Sequence, residues 1–211
     1  GRRTPMSAEI SSLLLALGIF SVGFISIGPN ILAIIGTSME RGRDAGVKLA
    51  LGVGSGSAVW ATCTVAGLTA LITAYAGIVT LLKVFGAAYL MWLAYKAFRS
   101  AATPSHLHKP KAARGKNLYL QGIAIQLTNP KAALQWIAIV GIGLGNEAPL
   151  WVGFALILIA TTLSLAVHVL YAVTFSTAPV VVAYQKARRW IDGSLGLFFT
   201  FAAYKIATYR Q

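Results

Sequence analysis

The chain has little acid, one cysteine and little charge of any kind. It carries 5 Asp and Glu against 18 Lys and Arg in 211 residues, and charged residues make up 11% of it. A soluble domain is nearer 25% charged, so this composition does not provide a solvated globular surface. Cys63 is the single cysteine, which excludes an internal disulfide and an intramolecular dithiol relay. Set among Ala61, Thr62, Thr64 and Val65, it reads as a small hydrophobe. His106 and His108 are too few ligands for a metal site, so no metal and no cofactor is expected. Without a buried carboxylate pair or a nucleophile with its base, an enzyme is not expected either.

What the chain has instead is apolar length. It is 57% hydrophobic with a mean hydropathy of +0.72, and it is uncharged from Leu49 to Leu82. A bilayer-spanning helix needs about 20 mainly apolar residues. Six runs qualify: 10–36, 49–75, 77–98, 118–145, 150–177 and 191–208. The first follows Arg2 and Arg3 but is too long for a secretory signal and lacks a small-residue cleavage pattern. Met6 is a candidate start, which would leave 1–5 upstream. The fold expected is an all-α integral membrane protein forming a single membrane domain over 1–211.

Cations place the loops. Arg41, Arg43 and Lys48 follow the first span, Lys96, Arg99, Lys109, Lys111, Arg114 and Lys116 the third, and Lys186, Arg188 and Arg189 the fifth. The other two loops carry none. Loops 37–48, 99–117 and 178–190 are therefore expected in the cytoplasm and both termini outside. The net charge of +13 comes from these clusters rather than from one basic face, so nucleic-acid binding is not expected.

Two prolyl motifs interrupt long apolar runs: Gly28-Pro29-Asn30 in the first span and Asn129-Pro130-Lys131 in the fourth. Proline lacks the backbone donor and clashes with the preceding turn, so each should break its helix. Within a bilayer that is tolerated only where the freed backbone is buried or lines a cavity. The breaks fall at matching places on either side of a polar linker, 100–116. Ala94-Tyr95-Lys96 and Ala203-Tyr204-Lys205 likewise match. Residues 10–99 and 117–209 then form two inverted three-helix repeats, helices 1 and 4 being broken at Pro29 and Pro130. Such repeats hold a transporter's site near midplane.

The same residues carry a family resemblance along nearly the whole chain. Gly28-Pro29-Asn30, Arg41-Gly42, Leu51-Gly52-Val53, Gly86-Ala87-Ala88-Tyr89-Leu90, Gln121-Gly122, Asn129-Pro130-Lys131-Ala132 and Arg188-Arg189-Trp190-Ile191-Asp192 occur in an order and spacing that resemble the lysine-exporter (LysE/RhtB) family of bacterial amino-acid exporters. The resemblance implies six spans in the bacterial inner membrane and proton-coupled efflux of small amino acids or related metabolites. It departs at Ser57, where members often carry an acid, and at 140–143, where many carry Pro-Gln-Phe. Loss of the acid favours an alternative, a passive channel or facilitator for the same substrates.

The residues suggest how an amino acid would be held. The half-helix after Asn129-Pro130 begins with free N–H groups and a positive dipole end. Lys131 adds a charge that is costly in a membrane without a partner, and a substrate carboxylate is the partner expected. Backbone freed at Gly28-Pro29 and the side chains of Asn30 and Asn129 are expected near the ammonium, with Gln135 and Trp136 close by. No acid lies deep in a span, which favours a neutral substrate over lysine. His168 is the proton-coupling candidate, with Thr161, Thr162 and Ser164 as possible hydroxyl partners. Gly52, Gly56 and Ser57 are expected to let another helix approach closely, within the chain or in a homodimer. Lys83 and Lys205 are expected to snorkel.

Overall fold

A computed structural model describes residues 6–75, 77–103, 111–139 and 149–208. His106, His108, Lys109, residues 140–143, Arg2 and Arg3, all named above, lie outside them, as do the side chains of Lys83 and Lys205. The described residues form eight helices and no strand. They are α1 (Met6–Ile25), α2 (Pro29–Arg41), α3 (Arg43–Ala74), α4 (Ile78–Ala102), α5 (Leu118–Leu127), α6 (Pro130–Ile139), α7 (Leu150–Thr174) and α8 (Ala178–Thr208). Met6–Ile25, Arg43–Gly67 and Leu150–Thr174 are each long and apolar enough to cross a membrane.

Local chemistry sets the ends. Pro29 opens α2 at a position where the missing N–H would have had no partner in any case. Gly28 before it is extended, with φ −111° and ψ −175°, and its carbonyl accepts from the Leu32 N–H at 3.0 Å. The same device opens α6, where the Asn129 carbonyl accepts from the Ala133 N–H at 3.2 Å. Asn117 caps α5 by accepting the Leu120 N–H on its side chain.

Two stretches expected as loops differ. Residues 37–48 are helical except for Gly42, whose φ of +88° turns the chain between α2 and α3. All of 178–190 is the first part of α8. Hydropathy marks where a run ceases to be apolar, not where a helix ends. Arg and Lys are good helix formers, so these helices continue into their charged turns.

The most extensive pairings set α4 along α8 and α3 against α7 and α5, with α2 lying on α3. Tyr89, Leu93, Leu195 and Phe199 fill the first interface. Phe20, Phe24, Trp136 and Leu156 form a second cluster, in which α1, α6 and α7 meet. At the end of α4, the Ser100 hydroxyl donates to Asp192 Oδ2 at 2.7 Å and accepts from Arg188 Nη2 at 2.6 Å. Arg188 Nε also donates to Asp192 at 3.3 Å, and both ions are buried, so this triad bolts α4 to α8. The end of the linker, 111–117, lies across α2. There Thr37 Oγ1 accepts the Ala113 N–H at 2.8 Å, and Arg41 donates to the Ala113 and Gly115 carbonyls at 2.9 and 3.3 Å.

α3 and α5 meet backbone to backbone. A Cβ on Gly52 would stand 2.0 Å from the Tyr119 carbonyl oxygen, and one on Gly122 would stand 2.3 Å from that of Leu49. The glycine face of α3 is thus used within the chain. Gly52→Val should force the two backbones apart and cost about 1–3 kcal/mol or more, read as a lower Tm of the purified protein. Gly18→Ala is its control, since nothing lies within 4 Å of that Cβ. Equal Tm values for the two would show that the contact is not limiting.

Candidate functional site

The carbonyls at the end of α1 have no helical partners, and side chains from the second half of the chain supply them. Lys131 Nζ donates to the Ser26 carbonyl and, at 3.4 Å, to that of Gly23. Tyr171 donates to the Phe24 carbonyl at 2.8 Å. Gln135 Nε2 donates to the Phe20 carbonyl at 3.1 Å and lies against Gly23, which has no side chain to obstruct it. At the other break, Asn129 Oδ1 accepts the Lys131 N–H at 3.0 Å, and Trp60 donates to the Gln126 carbonyl at 3.0 Å. Tyr89 donates to the Lys131 carbonyl at 2.8 Å.

Lys131 is buried, at 9% exposure, and its ammonium meets carbonyls. No salt bridge pairs it with a carboxylate among the described residues. A buried cation without a counter-ion is costly unless something compensates it.

Gly28 lies beside both Lys131 and Asn30. A Cβ on Gly28 would lie 3.4 Å from Lys131 Nζ and 3.4 Å from Asn30 Oδ1. The ammonium and the amide oxygen therefore both approach this bare position, separated by less than twice that distance. Both hydrogen bonds of Asn30 leave from Nδ2, toward Gln126 and His168, so Oδ1 on the Gly28 side is an acceptor held in place.

Behind Asn30 lies a buried polar network joining α2, α3, α5 and α7. Asn30 Nδ2 donates to Gln126 Oε1 at 3.0 Å, and Gln126 Nε2 donates to Ser57 Oγ at 2.9 Å. Ser164 Oγ donates to the same Ser57 oxygen at 2.8 Å. His168 joins through Nε2, 3.4 Å from Asn30 Nδ2, and through Nδ1, 2.8 Å from the Ser164 carbonyl. The Phe24 ring packs edge-on against the imidazole.

The structure thus brings Gly28, Asn30, Asn129, Lys131 and Gln135 to facing helix ends, with Pro29 and Pro130 opening the helices that follow. Ser57, expected at a packing surface, is a junction of the polar network. Ser164 partners His168 as expected, whereas Thr162 turns back to its own helix and Thr161 Oγ1 is buried without a partner. Trp136 packs on Phe20 in the apolar cluster. Gln126 was missed. Its signal was present: an amide one turn before Asn129 in an otherwise apolar run, where a polar side chain needs a partner.

An all-helical, bilayer-compatible frame with polar side chains gathered where helices stop defines a membrane transport protein. The chain belongs to the LysE type translocator family, whose sequence model matches residues 21–210. It is 32% identical over 210 residues to the uncharacterized membrane protein YahN of Escherichia coli (strain K12), covering 95% of this chain and 93% of YahN. The threonine efflux protein of the same organism is 31% identical over 186 residues, covering 84% of this chain and 88% of that protein. The leucine efflux protein of Enterobacter sp. (strain 638) is 27% identical, covering 86% and 88%. No solved structure matches. The chain is therefore a membrane-embedded translocator, not an enzyme.

Proposed function

We propose that the protein exports small neutral amino acids from the cytoplasm across the bacterial inner membrane in exchange for protons. The observation that carries this reading is the pair of groups beside Gly28. Lys131 offers a full positive charge and Asn30 an acceptor oxygen, both close to the bare Cα of Gly28. Lys131 is bonded to the neutral Ser26 and Gly23 carbonyls. A substrate carboxylate would supply it a counter-ion, and charge-assisted hydrogen bonds are about twice as strong as neutral ones. Among the described residues, the partners of Lys131 and Asn30 include no acid for a second cation on the substrate. Relatives named for threonine and leucine efflux support the same choice.

On this reading α1 with α2, and α5 with α6, are two interrupted spans, giving six spans in two inverted repeats within one domain. The packing supports the exchange of halves. Contacts of α1 with α6, α2 with α7 and α3 with α5 have counterparts in α5 with α2, α6 with α3 and α7 with α1. The basic stretches 37–48, 99–117 and 178–190 face the cytoplasm, and both termini lie outside. Access to the site alternates between the two sides of the membrane.

Proteoliposomes separate exchange from passive flow. Vesicles with an acid lumen in neutral buffer should accumulate labelled threonine, leucine or alanine above the outside concentration, and lose that accumulation when the gradient is collapsed. Equal uptake with and without the gradient would replace exchange by a facilitator, the reading that Ser57 favours. No uptake of any of the three would end the proposal.

A further inference from the structure

The hydrogens around His168 can be assigned from its neighbours. Nδ1 lies 2.8 Å from the Ser164 carbonyl oxygen. A carbonyl only accepts, so Nδ1 carries the hydrogen and Nε2 presents a lone pair; the partners fix this tautomer, since hydrogens are not seen directly. Asn30 Nδ2 gives one hydrogen to that lone pair and the other to Gln126 Oε1. Gln126 Nε2 and Ser164 Oγ both donate to Ser57 Oγ, whose own hydrogen goes to the Val53 carbonyl at 3.3 Å. With His168 neutral, no two donors in this set face one another.

A proton on Nε2 breaks that consistency. Nε2–H would then face the N–H of Asn30, donor against donor. A half-turn of the Asn30 amide repairs it by bringing Oδ1 onto Nε2–H. Gln126 must turn as well, so that its Nε2 donates to Asn30 Oδ1 and its Oε1 accepts from Ser57. The Ser57 hydrogen leaves the Val53 carbonyl to make that bond. The added proton stays on Nε2, and no bond between heavy atoms forms or breaks.

The consequence falls on the cradle at Gly28. Before the turn, Asn30 shows it an oxygen; after the turn it shows N–H groups, with an imidazolium behind them. A substrate ammonium has only hydrogens to offer and loses its acceptor. We propose that a proton on His168 and a substrate ammonium at the Gly28 cradle exclude one another, with the Asn30 amide as the group that turns and Gln126 carrying the turn to Ser57 on α3. This rests on the exporter reading and adds to it the reason for exchange. The site holds a proton or an amino acid, never both.

The groups facing the imidazole are consistent with such competition. α2, α3 and α5 present neutral Asn30, Ser57 and Gln126, and α1 presents the Phe24 ring. The charge that acts on the ring is Lys131 of α6. Tyr171, one turn along α7, spends its hydroxyl hydrogen on the Phe24 carbonyl. A bound zwitterion turns its carboxylate to Lys131 and its ammonium to Asn30, so the nearer new charge that His168 meets is positive.

Titration calorimetry of threonine into the purified full-length protein, from pH 8 down to about pH 4 so that the range extends below that of a free imidazole, and in two buffers of different ionisation enthalpy, tests this. Mutual exclusion weakens apparent affinity about tenfold for each pH unit below the His168 midpoint, because only the unprotonated fraction binds. Threonine should then release a proton, seen as a buffer-dependent heat. His168→Gln, whatever its affinity, should bind with no pH slope and no release. Asn30→Asp, which accepts on both edges and has nothing to turn, should also lose the slope. Flat, release-free binding by the unmodified protein would overturn the exclusion and leave the exporter standing; so would a slope that survives in His168→Gln. Absence of threonine, leucine and alanine binding even at pH 8 would remove the exporter reading and the exclusion with it. The unmodified protein's own proton release needs no variant, so the test stands even if one fails to fold.

Discussion

Lys131→Met is expected to reduce amino-acid efflux by about 10- to 100-fold, with the protein still inserted in the membrane. The substitution keeps an unbranched apolar stem and removes the ammonium. The substrate carboxylate then loses its one full counter-charge, and a hydrogen bond to a charged group contributes about 1.5–3 kcal/mol, which is that range of affinity. The variant also strips the donor from the Ser26 and Gly23 carbonyls, so some loss of stability is expected. Lys131→Arg separates the two effects. It restores charge and donors to the carbonyls but carries a planar fork where the cradle is shaped for a point charge. It should recover the Tm more fully than the transport rate. Efflux from loaded cells, normalised to the amount of protein in the membrane fraction, is the measurement. Unimpaired efflux by Lys131→Met would remove Lys131 from the site.

Gly28→Ala should leave the fold intact and still reduce transport about tenfold or more, a magnitude typical of one methyl group in a fitted pocket. Gly28 has ordinary extended torsions, so an L side chain there brings no backbone strain. The new methyl would touch Lys131 Cδ at 3.1 Å and stand 3.4 Å from both polar atoms of the cradle. A flexible lysine can give that much. A bound zwitterion cannot, because the methyl occupies the space its Cα needs. Gly28→Val should abolish transport. A Gly28→Ala protein with the same Tm and the same export rate would show that the substrate lies elsewhere.

The residues that could be read from the sequence are those that break rules in plain view. Pro29 and Pro130 in apolar runs, and Lys131 in an otherwise uncharged stretch, violate what a continuous lipid-exposed helix allows, so their significance is local. Gln126, an uncharged amide, breaks a milder rule and Ser57 breaks none. Each is a modest polar residue, and its role depends on the rotation of its helix and on which helix faces it. The same holds for Tyr89 and Trp60, aromatics that pack in the core and also donate to backbone carbonyls. The charged helical turns at 37–48 and in early α8 were missed for a further reason: apolar content ends at the membrane surface, whereas backbone hydrogen bonding continues beyond it.

The three large helix pairings, α4 with α8, α3 with α7 and α3 with α5, all join the first half of the chain to the second. The first is pinned by the Arg188–Asp192–Ser100 triad, the second by Ser57 and Ser164, and the third by the close backbone contact at Gly52 and Gly122. Swinging the halves apart as two solid blocks would have to rupture the most heavily buttressed seams in the molecule. The four long helices, with α5 held against α3, are better suited to act as a stationary chassis. On the proposed exchange, α1, α2 and α6, which meet the breaks at Pro29 and Pro130, are then the parts that travel, and the doorway opens by tilting these pieces rather than by parting the walls.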